Sequence, residues 1–286
     1  MTAGSGTRAE PLSFLRPKSL LPWGAGTVLG RLAASLGALG PGRMMANASR
    51  CPDLVRRTIE EATGSECGIL FESRPLGACR TVAGLAGVAR GTWFVVNTDM
   101  VTDADPGAML AAHRSSGSDW TVLAGPPLEG YGRLAAGGDG SFGCGPCGMH
   151  YWGIGIMEPG VFGLASRMPG AGMFDGLARS ASEAGMRLAV HEAGPGASWI
   201  DTGSVESYRA GLLSTGSFVH PEAVVEDGAA LSGRWFVGRG CRVRRGSRLA
   251  DSVMLDGSEL AGGELVSSVL PWDEVRGGSP PGAGME

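Results

Sequence analysis

Residues 2–22 read TAGSGTRAEPLSFLRPKSLLP. Gly4-Ser5-Gly6-Thr7-Arg8 is a small-residue loop whose backbone N–H groups can approach phosphate oxygens closely, because glycine has no Cβ in the way. Arg8 adds a charged fork, and Lys18, ten residues on, a compact point charge. Lys18 stands out further: of the 24 basic residues, 23 are arginine and it is the sole lysine.

Working outward, the chain has 286 residues, enough for one large domain or two unequal ones with a sizeable core. Glycine is the outlier, 50 residues against an ordinary 43% apolar content, with few aromatics (6%) and few charges (18%). The glycines keep no period of three and apolar runs interleave them, which excludes collagen and wholesale disorder. A net charge of −4 argues against a nucleic-acid binder held by phosphate contacts. Six cysteines in so long a chain do not make a disulfide framework. There is neither a signal-peptide pattern nor a membrane-length apolar run, so the expectation is a cytoplasmic protein with reduced thiols and no membrane contact.

The C-terminal part carries a repeat. Val219, Val225, Leu231, Val237, Val243, Leu249 and Leu255 fall at intervals of six, and Ala223, Ala229, Trp235, Cys241, Ser247 and Val253 follow the first six at a spacing of four. Period six is neither helical nor that of a plain strand. It is the pattern of a hexapeptide parallel β-helix, one aliphatic per hexad pointing inward. This module is assigned to residues 217–275, with 276–286 as a disordered tail. The Arg234–Arg248 run reads as its solvated face.

Residues 1–214 alternate short apolar runs with helical patterns. Thr92–Asn97, Trp120–Leu123 and Trp152–Ile156 read as strands; Leu54–Ala62, Pro106–Arg114 (capped by Asp103 or Asp105) and Met173–Met186 read as helices. The alternation predicts an α/β fold with a mostly parallel sheet covered on both faces.

With Pro11-Leu12 and Pro17-Lys18 behind it, the glycine loop resembles the signature of the sugar-phosphate nucleotidylyltransferases: Gly-x-Gly-x-Arg, then Pro-Leu, then Pro-Lys. Further segments agree in family order. Leu76-Gly77-Ala78 after Glu72 resembles the segment that contacts the nucleotide base. Val95–Asp99 resembles the strand ending in a metal-binding aspartate, and Trp199–Gly203 the turn that supplies the second. Tyr131-Gly132 and Trp152-Gly153-Ile154 resemble strands lining the sugar-phosphate pocket. The resemblance covers nearly the whole chain and is strongest to members of mannose-1-phosphate guanylyltransferase type, which also end in a left-handed β-helix.

It implies a Rossmann-like, GT-A-like mixed sheet followed by a short left-handed β-helix. Arg8 and Lys18 are then the catalytic candidates; Ala3, Gly4, Ser5, Gly6, Thr7, Glu72 and Gly77 bind nucleotide; Gly132 and Gly153 bind sugar phosphate; Asp99 and Asp201 hold Mg²⁺. The partners implied are an NTP (GTP first, then dTTP or UTP) and a sugar 1-phosphate (mannose first, then glucose), with a homo-oligomer through the β-helix. The chemistry suits these residues. A sugar 1-phosphate is mostly a dianion at pH 7 and needs no general base; His113, His150, His191 and His220 are scattered. What the step needs is in-line positioning and charge cancellation.

Singly, each residue has a plainer reading: Asp99 a turn, Asp201 an Asx-turn, Lys18 an exposed charge. The chain also departs from the family. A short hydrophobic strand normally leads into the glycine loop, whereas Met1-Thr2 alone precede Ala3. The expectation is a missing first strand, from a truncated or misassigned start, with unpaired neighbours and reduced stability and activity. Cys79 and Arg80 replace small residues, Glu-Lys-Pro is absent, and the loop with Cys144 and Cys147 takes its place as a turn-rich segment. Two competing readings remain: a catalytically impaired regulatory or assembly subunit, and a hexapeptide acyltransferase using His220.

Overall fold

A computed structural model describes residues 1–2, 7–13, 16–131, 133–136, 142–144 and 148–272. Ala3, Gly4, Ser5, Gly6, Gly132, Cys147 and the expected tail 276–286 lie outside the described residues. In chain order the elements are β1 (Pro22–Trp23), β2 (Gly26–Thr27), α1 (Val28–Gly37), β3 (Met44–Ala48), α2 (Pro52–Thr63), β4 (Cys67–Phe71), α3 (Ala78–Gly84), β5 (Trp93–Val96), β6 (Met100–Thr102) and α4 (Pro106–Ser116). There follow β7 (Trp120–Gly125), β8 (Arg133–Ala136), β9 (Phe142–Cys144), β10 (Met149–Met157), α5 (Pro159–Arg167), α6 (Arg179–Glu183), β11 (Leu188–Glu192), β12 (Trp199–Asp201) and α7 (Val205–Ser214).

The central sheet is mixed rather than mostly parallel. β10 runs antiparallel to β5, β7 and β8, β8 pairs antiparallel with β9, and β11 joins β7 in parallel. The period-two signal that marks a strand says nothing of its neighbour's direction, which explains the difference. Helix signals translate more directly. Pro52 and Pro106 sit in the first turns of α2 and α4, and Asp105 caps α4 by accepting from Gly107 N at 2.7 Å. Asp103 instead accepts from Ser198 N at 2.6 Å, tying β6's exit to the start of β12. The expected helix over 173–186 is broken into a π-helical turn, Met173–Ala178, and the short α6.

One face of the sheet buries Trp120, Val122, Phe162 and Leu177 against α3 and α5. The other buries Trp23, Met100, Trp152 and Tyr208, and the C-terminal module joins that same cluster through Phe236, Val253, Leu255 and Trp272. The module comprises β13 (Phe218–Val219), β14 (Val224–Val225), β15 (Ala230–Val237), β16 (Arg242–Val243), β17 (Ser247–Met254), β18 (Glu259–Leu260), β19 (Gly263–Val266) and β20 (Val269–Leu270). All its pairings are parallel. Val224 lies opposite Arg242, Arg242 opposite Glu259, and Val253 opposite Val269. The offset therefore shrinks along the module, and the apolar spacing follows, passing from six to five at Leu255, Leu260, Leu265 and Leu270. Val237, Val243, Leu249 and Leu255 are fully buried, whereas Val219, on the outermost strand, is 38% exposed. Arg239, Arg244 and Arg248 pair with acids of neighbouring turns: Arg244 reaches Glu226 at 2.9 Å and Glu259 at 2.8 Å. Such exposed pairs stabilise by about 1 kcal/mol or less each.

β3 pairs only with β4, and β5 only with β10, so their other edges face each other unpaired among the described residues. A cavity of about 560 Å³ occupies the gap, lined by Leu29, Leu32, Met44, Met45, Phe94 and Val96. Residues 1–2 stop one end of it. The Met1 amine donates to Val96 O, Thr2 N donates to Asn47 Oδ1 at 2.7 Å, and Thr98 Oγ1 donates to Met1 O at 3.1 Å. Burial pulls the Met1 ammonium from its ordinary 8.0 down to about 6, against the opposing pull of Asp99 and Glu72.

Joining five apolar residues to the Met1 nitrogen is expected to fill this slot and raise Tm by about 2–4 °C per kcal/mol gained, measured by calorimetry. A proline-interrupted extension should not do so, and equal Tm values for both would contradict the account.

Candidate functional site

β6 and β12 pair antiparallel, Asp201 opposite Met100, and Thr202 N donates to Asp99 O at 2.9 Å. Two aspartates about a hundred residues apart therefore sit at adjoining strand ends, one residue out of register with each other. Lys18 comes to them from a short 3₁₀ turn, Lys18–Leu20, and its Nζ lies 3.3 Å from Asp99 Oδ2. Arg8 arrives from the other side: a Cβ added to Gly203 would sit 3.1 Å from Arg8 Nη2 and 2.9 Å from Asp201 Oδ1. Gly203 thus leaves room for both groups, and its N–H donates to Asp201 Oδ1 at 3.0 Å.

Tyr131 hydrogen-bonds Asp201 through its hydroxyl, and its phenol is pushed up to about 12, first by burial and then by the Asp201 charge. It therefore stays a donor at physiological pH. Its ring stands edge-on to Trp199 at 5.2 Å, and His150 stands edge-on to the same indole at 4.3 Å. Burial lowers the His150 pKa, which leaves it neutral near pH 7 and without a charge to compete for an anion.

Beside Lys18 and Asp99 opens a second cavity of about 470 Å³, walled by Pro75, Leu76, Gly77, Ala78, Asn97 and Thr98. Gly77 adopts φ +87°, a conformation costly to other residues, and starts α3. Glu72 does not line this cavity. It is 2% exposed, and its Oε1 accepts from Asn47 Nδ2 at 2.9 Å and Thr81 Oγ1 at 2.7 Å, while Oε2 accepts from Leu76 N at 3.0 Å. Its place is that of a brace for the 75–78 wall. Asn47 relays this brace to Thr2.

Gly153 does not face the cavities either. It has φ +81° at the irregularity of β10, accepts from Asn97 N at 2.7 Å, and an added Cβ would lie 3.2 Å from Asn97 Cβ and 3.3 Å from Met100. It sets the 97–100 corner that presents Asp99. The structure thus brings Arg8, Lys18, Asp99 and Asp201 together with the Gly77 wall. Sequence reasoning missed Asn47, Thr81 and the Tyr131 hydroxyl contact, and Ser19, whose buried Oγ lines the cavity without a partner among the described residues. Single polar residues of ordinary type carry no motif that could have marked them.

The donor set suits a hard cation: carboxylate oxygens, with no cluster of three or more His, Cys, Asp or Glu among the described residues. A Mg²⁺ ion held here would complete its shell with phosphate and water, which is its ordinary habit.

Residues 1–140 match the family described as nucleotidyl transferase. A mannose-1-phosphate guanylyltransferase of Mycobacterium tuberculosis is 26% identical over 93% of this chain and 81% of its own length. The bifunctional protein GlmU of a Synechococcus species is 32% identical over 49% of this chain and 32% of its own. In fold, a Bacillus anthracis protein assigned as a glucose-1-phosphate thymidylyltransferase, solved with sucrose, superposes with TM-score 0.64 at 16% identity, covering 73% of this chain and 90% of that one. No described helix is long and apolar enough to cross a membrane. Over residues 1–140, which carry the glycine-loop signature and Asp99, the chain is similar to the nucleotidyl transferases, and Asp201 follows beyond that match.

Proposed function

We propose that the protein transfers a nucleotidyl group from GTP to mannose 1-phosphate, giving GDP-mannose and pyrophosphate with Mg²⁺. The choice of base and sugar is supported by the relationship to the M. tuberculosis guanylyltransferase over nearly both full lengths. The observation that carries the reaction class is the Lys18–Asp99 pair at the rim of the cavity walled by Pro75–Ala78, with Asp201 on the strand paired beside it.

A phosphate oxygen of the sugar 1-phosphate, already anionic, attacks the α-phosphorus. The bond from that phosphorus to the bridging oxygen breaks, and pyrophosphate leaves with the electron pair. Arg8 binds the triphosphate with a fork of donors, and Lys18 places a positive charge beside the reacting phosphate. The 75–78 wall, held by Glu72, takes the base. Asp99 and Asp201 would hold Mg²⁺, which supplies charge neutralisation on the phosphates. Tyr131 keeps Asp201 turned toward the cluster by its hydrogen bond.

The C-terminal module is assigned as a left-handed coil through which two copies meet. His220, the acyl-transfer candidate, is buried, and its Nδ1 accepts from Glu222 N at 3.1 Å within a turn. The slot between β3 and β5 favours one second reading, a catalytically impaired assembly subunit.

Pyrophosphate release from a panel of NTPs and sugar 1-phosphates separates the two readings. Asp99→Asn and Asp201→Asn should each lower kcat/KM by at least about 100-fold, the usual scale for losing one preorganised charge contact at a reacting centre. Activity surviving both changes would remove the two carboxylates from the mechanism. Absence of release from every pair, in a chain whose slot has been filled, would favour the subunit reading.

A further inference from the structure

Arg16 lies two residues before Lys18 and makes a contact the reaction does not require. Its guanidinium carbon sits 5.1 Å from the ring centroid of Trp272, at the end of the C-terminal module. Trp272 is 3% exposed and shares one apolar cluster with Leu12, Leu21 and Trp23, which flank the Lys18 turn on both sides. The same guanidinium also acts on Asp256, a half-buried carboxylate in a turn of the module, helping to hold it charged against burial. Asp256 is fixed in turn by the Arg239 N–H at 2.9 Å. Between Arg16 and Lys18 stands Pro17, whose ring removes one backbone freedom and whose carbonyl accepts from Leu20 N at 2.9 Å to start the 3₁₀ turn. Displacement of Arg16 is therefore passed to Lys18 with little slack.

We infer that Trp272 is a positioning residue for Lys18: the C-terminal module grips Arg16 and so holds the lysine ammonium against Asp99. This rests on the reading of Lys18 as the phosphate-contacting charge. It gives the parallel-strand module a part in the chemistry that stacking alone would not. A cation over an indole face in a desolvated setting contributes on the scale of one to two tenfold steps at most, enough to shift how often the Lys18 turn opens.

Because Lys18 is the sole lysine, its reactivity can be read directly. The full-length protein is treated with acetic anhydride and the acetylation rate of the Lys18 peptide is followed by mass spectrometry. Arg16→Gln keeps the indole packed but removes the charge over it, so it tests the contact without emptying the core. It should speed Lys18 acetylation about five- to thirtyfold, and Trp272→Ala should do the same where it folds. Trp272→Phe, which retains an aromatic face, should label at close to the native rate. Native-rate labelling in Arg16→Gln overturns the inference, as does acceleration in Trp272→Phe equal to that in Trp272→Ala. The readout needs no turnover, so it stands or falls apart from the assigned reaction.

Discussion

The short antiparallel pairing of β6 with β12 is the constraint on which the site depends. It joins residues about a hundred positions apart through a three-residue ladder, and the bond from Thr202 N to Asp99 O closes it at the point where both carboxylates emerge. Neither aspartate would have a fixed relation to the other without it. Asp99 sits at the end of the turn following β5, whose placement depends on Gly153 yielding space at the bend of β10. Asp201 is held by the Gly203 amide and the Tyr131 hydroxyl. Two like charges at such spacing repel, and the Lys18 ammonium beside Asp99 offsets that repulsion in the free protein.

The second support comes from the packing. A single apolar cluster runs from the sheet face under Trp152 and Ile154 through Tyr208 to Phe236, Val253 and Trp272. Polar contacts reinforce the same boundary: Tyr208 Oη donates to Pro22 O at 2.7 Å, and Arg234 donates to the carbonyls of Leu213 and Ser214 at the end of α7. The charge of Arg234 also suits the negative end of that helix. The parallel-strand module is therefore continuous with the scaffold that carries the signature segment.

Much of the site was legible because its chemistry needs particular residue types in order. A glycine-rich loop with an arginine, a lysine after proline and two aspartates after apolar runs announce themselves in one dimension. Strand direction did not, since β10's partners approach from both sides of the sequence and leave no trace in its own alternation. Glu72 was read as a nucleotide contact because it precedes the Leu76 segment, yet its carboxylate is consumed by Asn47, Thr81 and the Leu76 amide. That distinction depends on side chains from β3 and α3, which a local motif cannot see. The period of six identified the parallel module and missed its tightening after Leu255, where the five-residue spacing begins within a single turn. The contacts of Met1 and Thr2 at one end of the gap between β3 and β5 carry no sequence motif and were not foreseen.

The account is tested most directly by locating a divalent cation. In crystals grown with GTP and Mn²⁺, anomalous scattering should show a manganese peak bonded to both the Asp99 and Asp201 carboxylates at about 2.1–2.3 Å, with its remaining ligands from phosphate and water. A peak elsewhere, or nucleotide bound with neither carboxylate in a metal's reach, would contradict it.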